Sequence, residues 1–147
     1  MSHQVEVRLE QQEAFRFAID FGAGKPVLIG DEGPPLGQGA GPSPVELLAA
    51  AVGNCLSDSL HFALAKFKQD HGGIRTVVHA EIGRNAEGRM RVTSMQVSVT
   101  LKAVAASMSH LDRVLSQFEG FCTVAQSVGQ GLPIEVLVYD GAGARLK

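Results

Sequence analysis

One stretch decides how this chain can fold: GPSPVELLAAAVGNCLSDSLHFALAKFK, from Gly41 to about Lys68. It reads as a single long helix. Ser43 is placed to cap the first turn, Pro44 takes the first helical position, and Glu46 stands three residues past the cap. That is a capping box with an N-terminal proline. Leu47, Leu48, Ala51, Val52, Cys55, Ser59, Phe62 and Phe67 recur at helical spacing and predict a buried face. The small residues Ala49, Ala50, Ala51 and Gly53 let another backbone come close. Asn54, Cys55, Ser57, Asp58 and His61 interrupt the apolar run. The helix is therefore expected inside a protein and not across a bilayer, which takes roughly 20 mostly apolar residues. A core helix with a polar patch around a cysteine makes Cys55 the first candidate for chemistry.

The rest of the chain sets the frame. Its 147 residues fit one domain over 1–147 with a substantial core. With a formal charge of -2 and no basic run or basic–aromatic stripe, nucleic acid is not an expected partner. No membrane association is expected either. The N-terminal residues MSHQVEVRLEQQEAF lack the charged-then-apolar pattern of a secretory signal, so a cytoplasmic location is expected. In a reducing compartment Cys55 and Cys122 are not expected to be a structural staple. Packing as two small buried hydrophobes is the plain alternative to chemistry.

Ahead of the helix, residues 3–9 and 15–21 alternate polar and apolar, with Gln11, Gln12 and Glu13 between them. They predict a hairpin or meander, with 27–29 as a third short strand. A glycine- and proline-rich loop fills 30–42. It holds neither a P-loop nor a strand–GxGxxG–helix unit, and its length suits a lid or a segment ordered by a partner. After the helix, His71-Gly72-Gly73 supplies a stop. Residues 75–83 and 89–101 read as strands joined by a turn at 84–88, with a β-bulge near Thr93-Ser94 where the apolar parity switches. Residues 104–118 read as an amphipathic helix, and Cys122 opens a shorter one. Residues 133–139 form a last strand, and GAGARLK a frayed tail. Strands in blocks around a long helix predict an α+β domain with antiparallel sheets wrapped around that helix.

At this point the residues resemble the OsmC/Ohr family of bacterial thiol-dependent stress proteins. GPSPVELLAAAVGNC is similar to the family's first-cysteine helix, and FCTVAQSVGQGLPIEVLV to its second-cysteine segment running into the last strand. The resemblance covers nearly the whole chain. It implies an OsmC-like fold, an intertwined homodimer with active sites at the subunit interface, and a cofactor-free thiol peroxidase. By that likeness Cys55 attacks the O–O bond of an organic hydroperoxide, Cys122 closes a disulfide, and a lipoyl-bearing protein or other dithiol reduces it. The sequence also departs from the peroxidase branches. Val45 stands where they carry a glutamate directly after the helix-start proline, and Thr123 where many members have proline. The Gly-Arg context of their thiolate-binding arginine is missing, which leaves Arg16 as the candidate cation. The pattern is closer to the third, OsmC-like branch. A non-catalytic binding or redox-sensing module is the alternative function.

On chemical grounds alone, only a thiolate is a useful nucleophile, and it needs a cation or a helix N-terminus. Cys55 is too deep in its helix to feel that helix's own dipole, and Asp58 three residues on opposes its ionisation. Cys122, at a helix start after Gly120, is the better placed of the two. The resemblance points the other way, to Cys55 attacking first. Cys55 and His61 are out of phase for a nucleophile–base pair, and Cys55, Cys122 and His61 lack metal-ligand spacing. Asp58 and His61 are expected to satisfy each other across one helical turn. Phe62, Phe67, Phe118 and Phe121 read as core, with some free to line an apolar pocket that would suit alkyl hydroperoxides.

Overall fold

Alternating residues near the N-terminus pair later than their pattern implies. In the computed structural model, which describes residues 2–147, β1 is Arg8–Glu13, β2 Arg16–Asp20 and β3 Leu28–Gly30. They form an antiparallel sheet in the order β1-β2-β3. Gln11, Gln12 and Glu13, expected between strands, belong to β1; the turn falls on Ala14-Phe15, and residues 3–7 form no strand. The register explains the shift. Glu13 pairs with Arg16, and their side chains make an ion pair at 3.0 Å that a turn at 11–13 would forgo.

The chain divides into two compact units, the first ending at Leu48 and the second beginning at Ala49. In the first, the glycine- and proline-rich loop is folded around one carboxylate. Asp31 is buried, and its Oδ2 accepts hydrogen bonds from the backbone N–H of Gln38 (3.2 Å) and Ala40 (3.1 Å). A Cβ at Gly37 would collide with the Glu32 carbonyl and the Asp31 carboxylate, so only glycine lets the loop close there. Helix α1 then starts as its residues demand: Ser43 Oγ accepts from Glu46 N–H and Glu46 Oε1 from Ser43 N–H, both at 3.3 Å.

Helix α1, Pro44–Lys66, runs on into the second unit. It ends before the expected His71-Gly72-Gly73 stop. Lys68 adopts the left-handed conformation (φ 56), Gln69 N–H returns to the Leu64 carbonyl, and Lys68 N–H to that of Ala65. This is a Schellman cap built on lysine instead of glycine. The buried stripe is Val52, Gly53, Leu56, Ser59, Leu60, Ala63 and Leu64. It is rotated from the face expected, since Ala51 and Phe62 lie exposed. Gly53 sets the rotation: a Cβ there would stand 2.7 Å from Val78 Cγ2. Ser57 Oγ, bonded to the Gly53 carbonyl, also meets Thr76 Oγ1 at 2.6 Å. By length and composition alone α1 could cross a membrane, but this stripe against a strand is the pattern of a core helix.

The partner of that stripe is a second sheet: β4 (Ile74–Arg84), β5 (Met90–Leu101) and β6 (Ile134–Tyr139), in that order. The β4–β5 hairpin turns at Asn85, whose Oδ1 accepts from the N–H of Glu87 and Arg89. Its bulge lies at Thr93, as the parity switch implies: Glu81 faces Ser94 while Ile82 faces Val92. Met95, Val97, Val99 and Leu101 are buried beyond it. The antiparallel expectation fails at β6, which runs parallel to β5. The chain leaves β5, crosses over through helical segments and returns in the same direction, as parallel strands require.

That crossover is more broken than its amphipathic pattern implies. The helix expected over 104–118 is a 3-10 turn at Ala105–Ser107 and a helix α2 of only Leu111–Gln117. His110 at φ 61 stops the helix extending backward. A second 3-10 turn, Phe118–Phe121, leads to α3, Thr123–Val128. The C-terminal segment is not frayed. Asp140, buried, accepts three backbone N–H bonds, from Ala105, Ala142 and Ala144. The chain then folds back, Leu146 N–H reaching the Val138 carbonyl at 2.7 Å. Lys147 closes the turn through the Leu115 carbonyl, the Glu119 carboxylate and the Phe118 ring.

Candidate functional site

The two cysteines reach one place by different routes. Cys55 projects from the middle of α1, half-buried, at the edge of the helix's buried stripe. Cys122 is wholly buried and occupies the N-cap of α3, where its Sγ accepts the Ala125 N–H at 3.3 Å. The residue after the 3-10 turn must turn extended before α3 can begin (φ -82, ψ 97), and this aims the Cys122 side chain back at the first turn. The Cys55 thiol stands near enough to raise the Cys122 pKa. Both sulfurs are free thiols.

The electrostatics reverse one expectation. Cys122 was the better placed thiol by sequence, because it begins a helix. Burial instead pushes it up to about 11, the neighbouring Cys55 thiol adds to the rise, and the Ala125 N–H only partly opposes it. A six-residue helix cannot offset the loss of solvent around a thiolate. At neutral pH Cys122 is therefore a thiol.

Arg16 opens β2, and its guanidinium is engaged within the first unit. It holds Glu13, donates to Gln38 Oε1 at 2.7 Å, and sets Nε 3.9 Å from Asp31 Oδ2. Among the described residues, that Nε is the one buried side-chain polar atom without a hydrogen bond. The same side chains line a hollow of about 290 Å³ with Phe15, Pro35 and Leu36. Asp31 is held below the usual carboxylate range, first by the Ala40 N–H, with Gln38 N–H and Arg16 assisting.

Three expectations do not hold in this region. His61 pairs with His71 and not with Asp58: its Nδ1 lies 2.8 Å from His71 Nε2. Because His71 Nδ1 accepts the Gly73 N–H, the network assigns the donor proton to His71 Nε2. Phe62 and Phe121 are about 60% exposed, so of the four phenylalanines Phe118 alone is fully buried. A hollow of about 260 Å³ beside α3 is lined by Ala125, Gln126 and Ile134 among others, but by neither cysteine. Among the described residues, no three His, Cys, Asp or Glu side chains are grouped to hold a metal ion. Sequence reasoning missed the Ala125 N–H as the donor to Cys122 Sγ; its one signal is its place three residues past a residue that opens a helix.

The family model described as OsmC-like protein matches residues 37–137. No protein of curated function matches in sequence. Among solved structures, an OsmC-like protein of unknown function from Vibrio cholerae is similar with a TM-score of 0.78 at 15% identity, covering 93% of this chain and 99% of that one. The organic hydroperoxide resistance protein OhrB of Bacillus subtilis is similar with a TM-score of 0.67 at 14% identity, over 92% and 98%. An organic hydroperoxide resistance protein OsmC from Legionella pneumophila, described as a predicted redox protein, gives 0.70 at 11%, over 92% and 96%. At these identities the likeness is one of fold: mixed α+β, with two sheets and a long helix.

Proposed function

Because this chain belongs to the OsmC-like protein family, we propose that it is a thiol-dependent peroxidase that reduces organic hydroperoxides. Cys55, the thiol with access to solvent, attacks the O–O bond; the alcohol leaves and the sulfur becomes a sulfenic acid. The Cys122 thiol condenses with it, giving a disulfide and water. A dithiol, free or lipoyl-bound, then reduces the disulfide and is itself oxidised. The observation that carries the reading is that two thiols so distant in sequence stand near enough for Cys55 to raise the Cys122 pKa. The raised Cys122 fits the second role and not the first, which agrees with the order the resemblance implies. For the cation, Arg16 is the residue proposed, tested by whether Arg16→Ala slows alkylation of Cys55 at neutral pH.

A homodimer in a reducing, cytoplasmic setting belongs to the same proposal. It is supported by Ala51 and Phe62, apolar side chains of α1 that a single chain leaves exposed. The second reading, a redox-sensing module without turnover, is favoured by Val45 in the place of the peroxidase branches' glutamate. The two separate on steady-state consumption of tert-butyl hydroperoxide with dihydrolipoamide. The peroxidase reading expects turnover that Cys55→Ser abolishes. Equal, slow consumption by both proteins would refute it.

A further inference from the structure

Cys122 is closed to solvent, yet the stretch that carries it has little to hold itself. Helix α2 has seven residues, the 3-10 turn after it four, and α3 six. Helices shorter than about 12 residues are marginal by themselves, so contacts from outside must keep the stretch in place. Its internal bonds converge on Glu119. The Glu119 carbonyl accepts the Cys122 N–H and Gln126 Nε2, each at 3.1 Å, which ties the turn to the cysteine and to α3. What fixes Glu119 therefore fixes the backbone that carries Cys122.

Glu119 is fixed by Lys147. Past β6 the chain reverses at Asp140, and the Val138 N–H donates to the Lys147 carbonyl at 3.2 Å. That return brings the Lys147 side chain to the end of α2. Its ammonium pairs with the Glu119 carboxylate, donates to the Leu115 carbonyl at 2.8 Å, and stands 5.5 Å from the centre of the Phe118 ring. Phe118 is fully buried. One cation thus joins the last turn of α2, the 3-10 turn and the core beneath them. Exposed ion pairs contribute little, but these two side chains are only 32% and 30% exposed, and hydrogen bonds between charged groups are among the stronger ones.

We propose that Lys147 latches residues 115–122 shut, so that reagents in solution meet Cys55 and reach the Cys122 sulfur only through a local opening that the Lys147–Glu119 pair controls. Cys55 is half-buried and Cys122 wholly buried, and the latch preserves that difference. The proposal does not depend on the thiol cycle above. Within that cycle it determines which sulfur an incoming dithiol attacks. The new S–S bond forms on Cys55, the Cys55–Cys122 bond breaks, and Cys122 leaves as a thiolate that takes up a proton.

Alkylation of the reduced protein by iodoacetamide, read by peptide mass spectrometry, tests it without peroxide. In wild type Cys55 should be labelled first. In the Cys55→Ser protein the slow labelling of Cys122 should be nearly independent of urea well below the unfolding transition, because a local opening exposes little surface. Lys147→Met keeps an unbranched stem beside Phe118 and removes the charge; Glu119→Gln removes the charge on the other side. Each should speed labelling of Cys122 about 10- to 100-fold, the worth of a hydrogen bond to a charged group. With Cys55 intact, neither should change its labelling. The double variant should be no faster than the faster single one, since both remove the same interaction. Equal labelling of the two cysteines in wild type, or a Cys122 rate that climbs steeply with urea from the outset, would overturn the latch. So would an unmoved Cys122 rate in both variants, or effects that add in the double.

Discussion

At the scale of single residues, the same chemistry recurs in different settings: a buried polar atom takes its identity from the donors around it. Asp140 and Asp31 are buried carboxylates kept ionised by backbone N–H groups, chiefly that of Ala105 for Asp140 and that of Ala40 for Asp31. Asp140→Asn replaces an acceptor-only group with one that brings its own donors to a site offering three N–H groups. It should lower Tm, measured by circular dichroism, and a Tm equal to wild type would show that the carboxylate is dispensable. Cys122 is the reverse case, a group kept neutral because its donors are too few to offset burial. Cys122→Ser should therefore leave Cys55 able to form a sulfenic acid but unable to discharge it, so that dimedone adds to Cys55 in full. An unmodified Cys55 after hydroperoxide treatment would contradict that role.

Among the elements, α1 carries the clearest expectations. Removing its cap with Ser43→Ala should cost about 0.5–1 kcal/mol by urea denaturation. Gly53→Ala sets two effects against each other: about 1 kcal/mol gained in helix propensity and about 1–3 kcal/mol lost in pressing a methyl on Val78. Val78 is β-branched and stiff, so the loss should win, and Gly53→Val should lose more. A stabilised Gly53→Ala protein would mean that β4 yields easily. This contrast also explains what could be read beforehand. The capping box, the hairpin turn at Asn85 and the bulge at Thr93 were legible because each is settled by residues a few positions apart. The rotation of α1, the short α2, the direction of β6 and the docked C-terminal segment were not. They depend on Gly53 meeting Val78, on the left-handed His110, and on Asp140 reaching back to Ala105. The site divides the same way. Both cysteines stood out in the sequence, but the depth of Cys122 exists only once β5, the crossover and α1 are packed.

For the molecule as a whole, these groups set a window of stability in pH. The two aspartates have folded values below their unfolded ones. Between those values the unfolded chain binds more protons, so their contribution is present above about pH 4 and is lost as pH falls through the depressed range. Cys122 has the opposite sign. From about 9 to about 11 the unfolded thiol has ionised and the folded one has not, so stability declines as pH rises across that interval. Tm against pH should fall at both ends for the reduced protein, and Cys122→Ser should flatten the alkaline limb alone. Sedimentation equilibrium is expected to return twice the mass of one chain, and a monomer at micromolar concentration would remove the dimer from the proposal. The parallel pairing of β6 carries a further consequence, for the time before the native state exists. Parallel strands join only after a long excursion of chain has been laid down, which makes them late and slow to assemble. Cys122 lies inside that excursion, so a newly made or partly denatured molecule displays a sulfur that the finished one hides. Pulse-labelling with an alkylating reagent during refolding would thus read out, from one atom, the moment at which the crossover locks.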